Sequence, residues 1–411
     1  MNERRPHFFA LCPAEPFRIF FPLATLLGIS GVSLWPLFFA GLHKFYPGVM
    51  HSRLMIEGFL AGFVFGFLGT AMPRLLSAPP LRAWELWTLV TLHLTATGLH
   101  IGFQTNAGDA VFVALLLLFG VMLIRRVKRR AGLPPPGFVF VALGYLAGLI
   151  GTVLWLCGAI GWLPGSVMLL GGLWLNQAFA LLLIFGVGSF LIPRFLGLPD
   201  VIPMADERTA SPAWRRRALF SLVLGALFLG SYWLEAGYAM GTQAAVLRGC
   251  VAIAYFAVMV PIHRTPEPGK TVPLAMNLSL VALVAGLVFP LFWPSQRVAG
   301  LHIIFIGGFS LLTFTVATRV VLGHSGNEHL FRSPLPSLRM VTLFIVASVI
   351  LRAVADFFVE SRAGLLNWAS SLWMLAALAW AIFILPKVRT PDSTEEGTCK
   401  GRSKRLKSAV N

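Results

Sequence analysis

Five histidines carry the chemistry this chain could do inside an apolar environment: His51, His93, His100, His302 and His324. Imidazole is a common ligand for haem iron and for copper, and titratable groups in apolar segments are costly enough to be functional suspects. His51 opens one apolar run, and His302 lies about one turn inside another. His93 and His100 are seven residues apart on a third run, ~10 Å along one helix face. His51, His100 and His302 could therefore converge in one half of a bundle, with His93 reaching a deeper position. For each, the alternative is a hydrogen bond to interfacial water or to a backbone carbonyl.

His324 follows His302 by 22 residues, which is ~33 Å along a straight helix, so the two cannot hold one metal. It sits in a glycine-flanked turn, Gly323 to Gly326, beside Arg319. That guanidinium could grip a carboxylate such as a haem propionate, and Gly323 lets backbone approach a cofactor. The alternative for Arg319, and the preferred reading for Arg74 and Arg194, is snorkelling to lipid phosphate. Glu57 lies six residues beyond His51, ~9 Å into its run, where a carboxylate needs a partner, a proton or a water path. Arg53, four residues earlier, is within pairing reach, as Arg352 is for Asp356.

These residues need long apolar elements to hold them. Of 411 residues, 57% are hydrophobic and 12% charged, roughly half the charge of an ordinary soluble domain. Apolar runs long enough to cross a bilayer fall at about 17–41, 51–72, 84–103, 108–124, 137–162, 166–192, 217–238, 243–261, 272–293, 298–322, 338–358 and 364–385. The reading is an all-α polytopic bundle of about twelve spans, one transmembrane domain over 1–390, with a disordered basic cytoplasmic tail over 391–411. No cleavable signal is expected in the first sixteen residues.

The net charge of +17 does not mark a nucleic-acid protein, because the basic residues lie between apolar runs rather than on one surface. Arg125 to Arg130, Arg215 to Arg217 and the Lys/Arg-rich tail share one side, whereas 104–107, 163–165 and 239–242 carry no Lys or Arg. That asymmetry predicts both termini inside. Cys12, Cys157, Cys250 and Cys399 show no metal-type spacing.

Three runs end alike: GTAMPRLL closes the second, SFLIPRFLG the sixth and VATRVVLG the tenth. Their arginines, Arg74, Arg194 and Arg319, are 120 and 125 positions apart, and 17 positions before each stand Glu57, Gln177 and His302. Equal depth on every fourth span suggests a three-fold repeat of four-helix units whose second helices face a common interior.

The stretch HSRLMIEGFLAGFVFGFLGTAMPRLL from His51, with HIIFIGGFSLLTFTVATRVVLGHSG from His302 and the opening PFRIFFPLA, resembles the NnrS family. These are polytopic membrane proteins of the nitric oxide response described as containing haem and copper. The resemblance implies that His51, His302 and His324 match family histidines, and that Arg319 and Gly323 belong to a shared pattern. Many relatives carry HxHEM where this chain has Arg53 and Leu54, so one family ligand is missing and Glu57 is the residue that could take over part of its role. On this resemblance the chain is a bacterial inner-membrane protein that binds haem, copper or both and meets nitric oxide as a ligand. The alternative reading is a twelve-span transporter without a cofactor; membrane lipid is a partner on either.

Overall fold

A chain segment in hydrocarbon must satisfy its own backbone hydrogen bonds, so each apolar run becomes a helix. The computed structural model describes residues 8–196, 209–260, 270–332 and 334–390. Among these, all regular elements are helical. The basic tail 391–411, with Cys399, lies outside the described residues.

The long helices are α1 (Phe17–Phe39), α2 (Gly48–Leu75), α3 (Ala83–Ile101), α4 (Thr105–Lys128), α5 (Phe138–Ala159) and α6 (Gly165–Phe195), followed by α7 (Pro212–Tyr238), α8 (Gly241–Val258), α9 (Thr271–Phe292), α10 (Pro294–Gly323), α11 (Pro336–Val354) and α12 (Arg362–Arg389). Eleven of them are long and apolar enough to cross a membrane by length and composition. The other, α3, has 19 residues like α11, but its buried face carries Glu85, His93, Thr97 and His100. Starts follow local chemistry: Ser211 caps α7 by accepting from the Trp214 amide at 3.2 Å, with Pro212 in the first turn.

The helices fall into three sets of four. In each set the first helix packs on the second and the third on the fourth, and the fourth meets the first helix of the next set. Contact of α12 with α1 closes the ring. The second helices stand innermost: α2 and α6 have 78% of their apolar windows buried and α10 61%, against 33–50% for every other span except α1. This is the arrangement the spacing of Arg74, Arg194 and Arg319 predicts.

Each of those three helices also contains a π-helical turn, at Leu54–Leu60, Trp174–Ala178 and Ile303–Ser310. Such turns widen the helix by an extra residue and leave backbone carbonyls to be met from elsewhere. Glu57 and Gln177 lie within theirs, and His302 immediately precedes the third.

At the opposite end Arg18 gathers α1, α10 and α12. Its guanidinium donates to the carbonyls of Val388, Thr390 and His324 and pairs with Glu15. Glu15 also takes Arg74 at 2.5 Å. The start of α1 and the end of α12 therefore lie at the same end of the bundle.

Candidate functional site

The three inner helices wall a cavity of about 860 Å³, within the range typical of small-molecule and cofactor sites. α2 contributes His51 and Met55, α6 contributes Asn176 and Gln177, and α10 contributes His302. Most of the remaining wall is aromatic or aliphatic, from α1, α5, α10 and α12. The two imidazoles are held alike. His51 Nδ1 donates to the Gly31 carbonyl of α1 at 2.9 Å, and His302 Nδ1 to Val298 one turn earlier at 2.8 Å. A proton fixed on Nδ1 leaves the Nε2 lone pair available, which is how metal-ligating histidines are oriented. Among the described residues neither Nε2 has a hydrogen-bonding protein partner.

Arginines ring the same cavity. Arg352, buried on α11, reaches Asp356 at 3.1 Å, and Arg362 reaches the same carboxylate at 3.3 Å. Arg297 pairs with Glu235, which also holds Arg248 at 2.7 Å. The Asn176 carbonyl oxygen on the wall is buried without a hydrogen bond. Beyond Leu60, which borders both spaces, an apolar cavity of about 110 Å³ continues between the same three helices.

Arg53 and Glu57 of α2, His100 of α3 and Asp109 of α4 form a separate buried cluster. Glu57 Oε2 accepts from His100 Nε2 at 3.0 Å, and Arg53 Nε lies 3.2 Å from Glu57 Oε1 and 2.7 Å from Asp109 Oδ1. The Arg53 guanidinium packs on the Trp155 ring at 4.8 Å, and Trp155 itself lines the cavity. His93 serves the π turn: its Nε2 donates to the carbonyls of Glu57 and Gly58 at 2.9 and 3.1 Å. Replacing His93 with leucine therefore strands two buried acceptors. The expected cost is about 1–3 kcal/mol, read as a lower unfolding midpoint with the cavity's ligand content unchanged.

The Gly323 turn forms a third place. Arg319 packs over Phe195 and Phe331, at 5.0 and 4.3 Å from the ring centroids. His324 donates from Nδ1 to Val320 at 2.8 Å and rests on the Phe17 ring. Burial, and then the Arg74 charge, hold its imidazole below its ordinary pKa.

Of the residues singled out from sequence, the structure thus brings His51, Gln177 and His302 to one cavity. Glu57 and His100 meet each other behind its wall, His93 supports the π turn, and Arg319, Gly323 and His324 lie at the far end of α10. The pairs Arg53–Glu57 and Arg352–Asp356 form as their spacing predicts. Asp109, Trp155, Arg297 and Arg362 complete these sites without having been singled out. Asp109 had a signal, a carboxylate in the first turns of a span, but its run begins so uncertainly that it reads as an end.

The residues present suit a haem better than a closed copper site. The cavity offers two tethered imidazoles, an apolar wall and arginines at one end, whereas three-residue donor convergence occurs elsewhere, at Glu57, His100 and Asp109, around a guanidinium. Compared with known families, the chain matches the one described as NnrS protein over residues 12–391, nearly its whole length. No curated protein matches it.

Proposed function

The chain belongs to the NnrS family, and from that premise we propose that it is a bacterial inner-membrane protein of the nitric oxide response that holds a haem in the α2–α6–α10 cavity. One observation carries the reading: His51 and His302, on different inner helices, line the same cavity with Nδ1 engaged by backbone carbonyls. They are the residues that would hold the iron, and Arg352 with Arg297 and Arg362 would hold the propionates. A haem held there would supply an iron for which a small diatomic ligand competes with one of the two imidazoles. The protein's own contribution is orientation and an apolar surround: Gly31 and Val298 fix the imidazole tautomers, while the aromatic wall supplies the apolar contact surface. Copper, the other metal implied by the family, would draw on the same two imidazoles.

Absorption spectra and metal analysis of the purified protein test this. We expect a Soret band in the wild type that His51→Ala or His302→Ala lowers at least tenfold, and that His43→Ala leaves unchanged. A protein with neither a Soret band nor bound copper overturns the proposal. The transporter reading draws on the open central cavity above a second, apolar one in a three-fold ring; it requires substrate flux in proteoliposomes by protein free of cofactor.

A further inference from the structure

The buried ion pairs of this protein follow a pattern with one exception. Glu15 meets Arg18 and Arg74; Glu235 meets Arg248 and Arg297; Asp356 meets Arg352 and Arg362. Glu85 has Arg126. In all of these the cations equal or outnumber the carboxylates. Only around Arg53, among the described residues, do two carboxylates share one cation. Glu57, Asp109 and Arg53 are each 0–1% exposed.

The two acids are also direct neighbours: their carboxyl oxygens and His100 Nε2 lie within 4.8 Å of one another. His100 supplies a neutral hydrogen bond and no fixed charge, and its Nδ1 is buried without a partner. His93 approaches only the backbone carbonyl of Glu57. Glu57 Oε1 is buried, and its polar neighbour is Arg53 Nε at 3.2 Å, off hydrogen-bonding geometry. Two ionised carboxylates in contact with one guanidinium would leave an uncompensated negative charge in the bundle, which is prohibitively costly. A carboxyl pair this close relieves this by holding one proton between its two members.

We propose that Glu57 and Asp109 form a carboxyl pair that carries one shared, exchangeable proton. The arrangement balances charge: one guanidinium, one carboxylate, one neutral acid. The site lies one ring away from the cavity, because Arg53 stacks on Trp155 and Trp155 forms cavity wall. It is therefore a place to take up or release a proton as the charge in the cavity changes. The proposal does not rest on the haem reading, since the imbalance exists whatever the cavity holds.

Infrared spectroscopy of the full chain in lipid nanodiscs at pH 7 tests it. The wild type should show a carboxylic-acid C=O band equivalent to one acid per chain that shifts in ²H₂O. Because the proton is shared, either Glu57→Gln or Asp109→Asn alone leaves one acid with one guanidinium and should abolish the band. Glu235→Gln should leave it unchanged. The near-isosteric replacements conserve volume, and a fold check by circular dichroism accompanies each. Absence of the band, its persistence in either single variant, or an equimolar divalent metal that Glu57→Gln removes would each overturn the proposal.

Discussion

Replacing Arg53 with methionine should destabilise this protein by about 3–5 kcal/mol, the cost of leaving one partner of a buried ion pair uncompensated. Methionine preserves most of the aliphatic stem packing, so the loss isolates the charge. Arg53 is 1% exposed, contacts both acids and stacks on Trp155. Without it, two carboxyl groups remain in an apolar bundle with only His100 to bond. Lysine should rescue poorly, because its single ammonium does not reproduce the planar fork that reaches both carboxylates. Arg297→Met is the contrast: that side chain is 43% exposed and its partner Glu235 keeps Arg248, so a loss below about 1 kcal/mol is expected. Thermal unfolding in nanodiscs reads both. Combining Arg53→Met with Asp109→Asn should recover part of the loss, since the double variant leaves a single acid free to stay neutral. Equal midpoints for Arg53→Met and Arg297→Met would show that the cluster does not depend on its cation.

Depth along a span was legible in the sequence, and direction around it was not. Helical rise is regular, so counting 17 positions back from Arg74, Arg194 and Arg319 finds Glu57, Gln177 and His302 at comparable levels on the three inner helices. The angular position depends on an unbroken 3.6-residue period, and each of these helices breaks it with a π turn near the residue in question. That is why Gln177 and His302 line the cavity while Glu57 turns towards His100 and Asp109. The histidines divide for a related reason. His93 and His100 ride on α3, which lies outside the inner trio, so they can reach only the back of α2. The partners of the buried arginines were legible only where they are four residues apart. Asp109 meets Arg53 across 56 positions, and no local pattern signals a contact that the packing of α2 on α3 and α4 creates.

The close approach of helices within each set makes the second large prediction. Without a hydrophobic force between them in lipid, membrane helices associate by packing, and small residues let their backbones meet. α5 and α6 do this most fully. A Cβ on Gly171 would lie 2.6 Å from the Trp155 amide nitrogen and 2.7 Å from the Gly151 carbonyl oxygen, and one on Gly151 would lie 2.8 Å from the Leu175 nitrogen. These are backbone atoms, so no side-chain rotation relieves the clash. α9 and α10 repeat the device, with Gly286 against Ile304 and Gly300. Gly171→Leu should therefore push α6 away from α5, at or above the ~1–3 kcal/mol typical of overpacking. The cost extends beyond stability, because Gly171 lies five and six residues before Asn176 and Gln177 and packs against Trp155, all three on the cavity wall. Ligand content should fall along with the unfolding midpoint. Gly98→Ala, at a helical site where a Cβ meets nothing within 4 Å, should instead leave both unchanged or raise the midpoint, stability gaining the ~0.5–1 kcal/mol that alanine has over glycine in a helix. If Gly171→Leu melts and binds like Gly98→Ala, backbone contact between α5 and α6 does not set the width of the cavity.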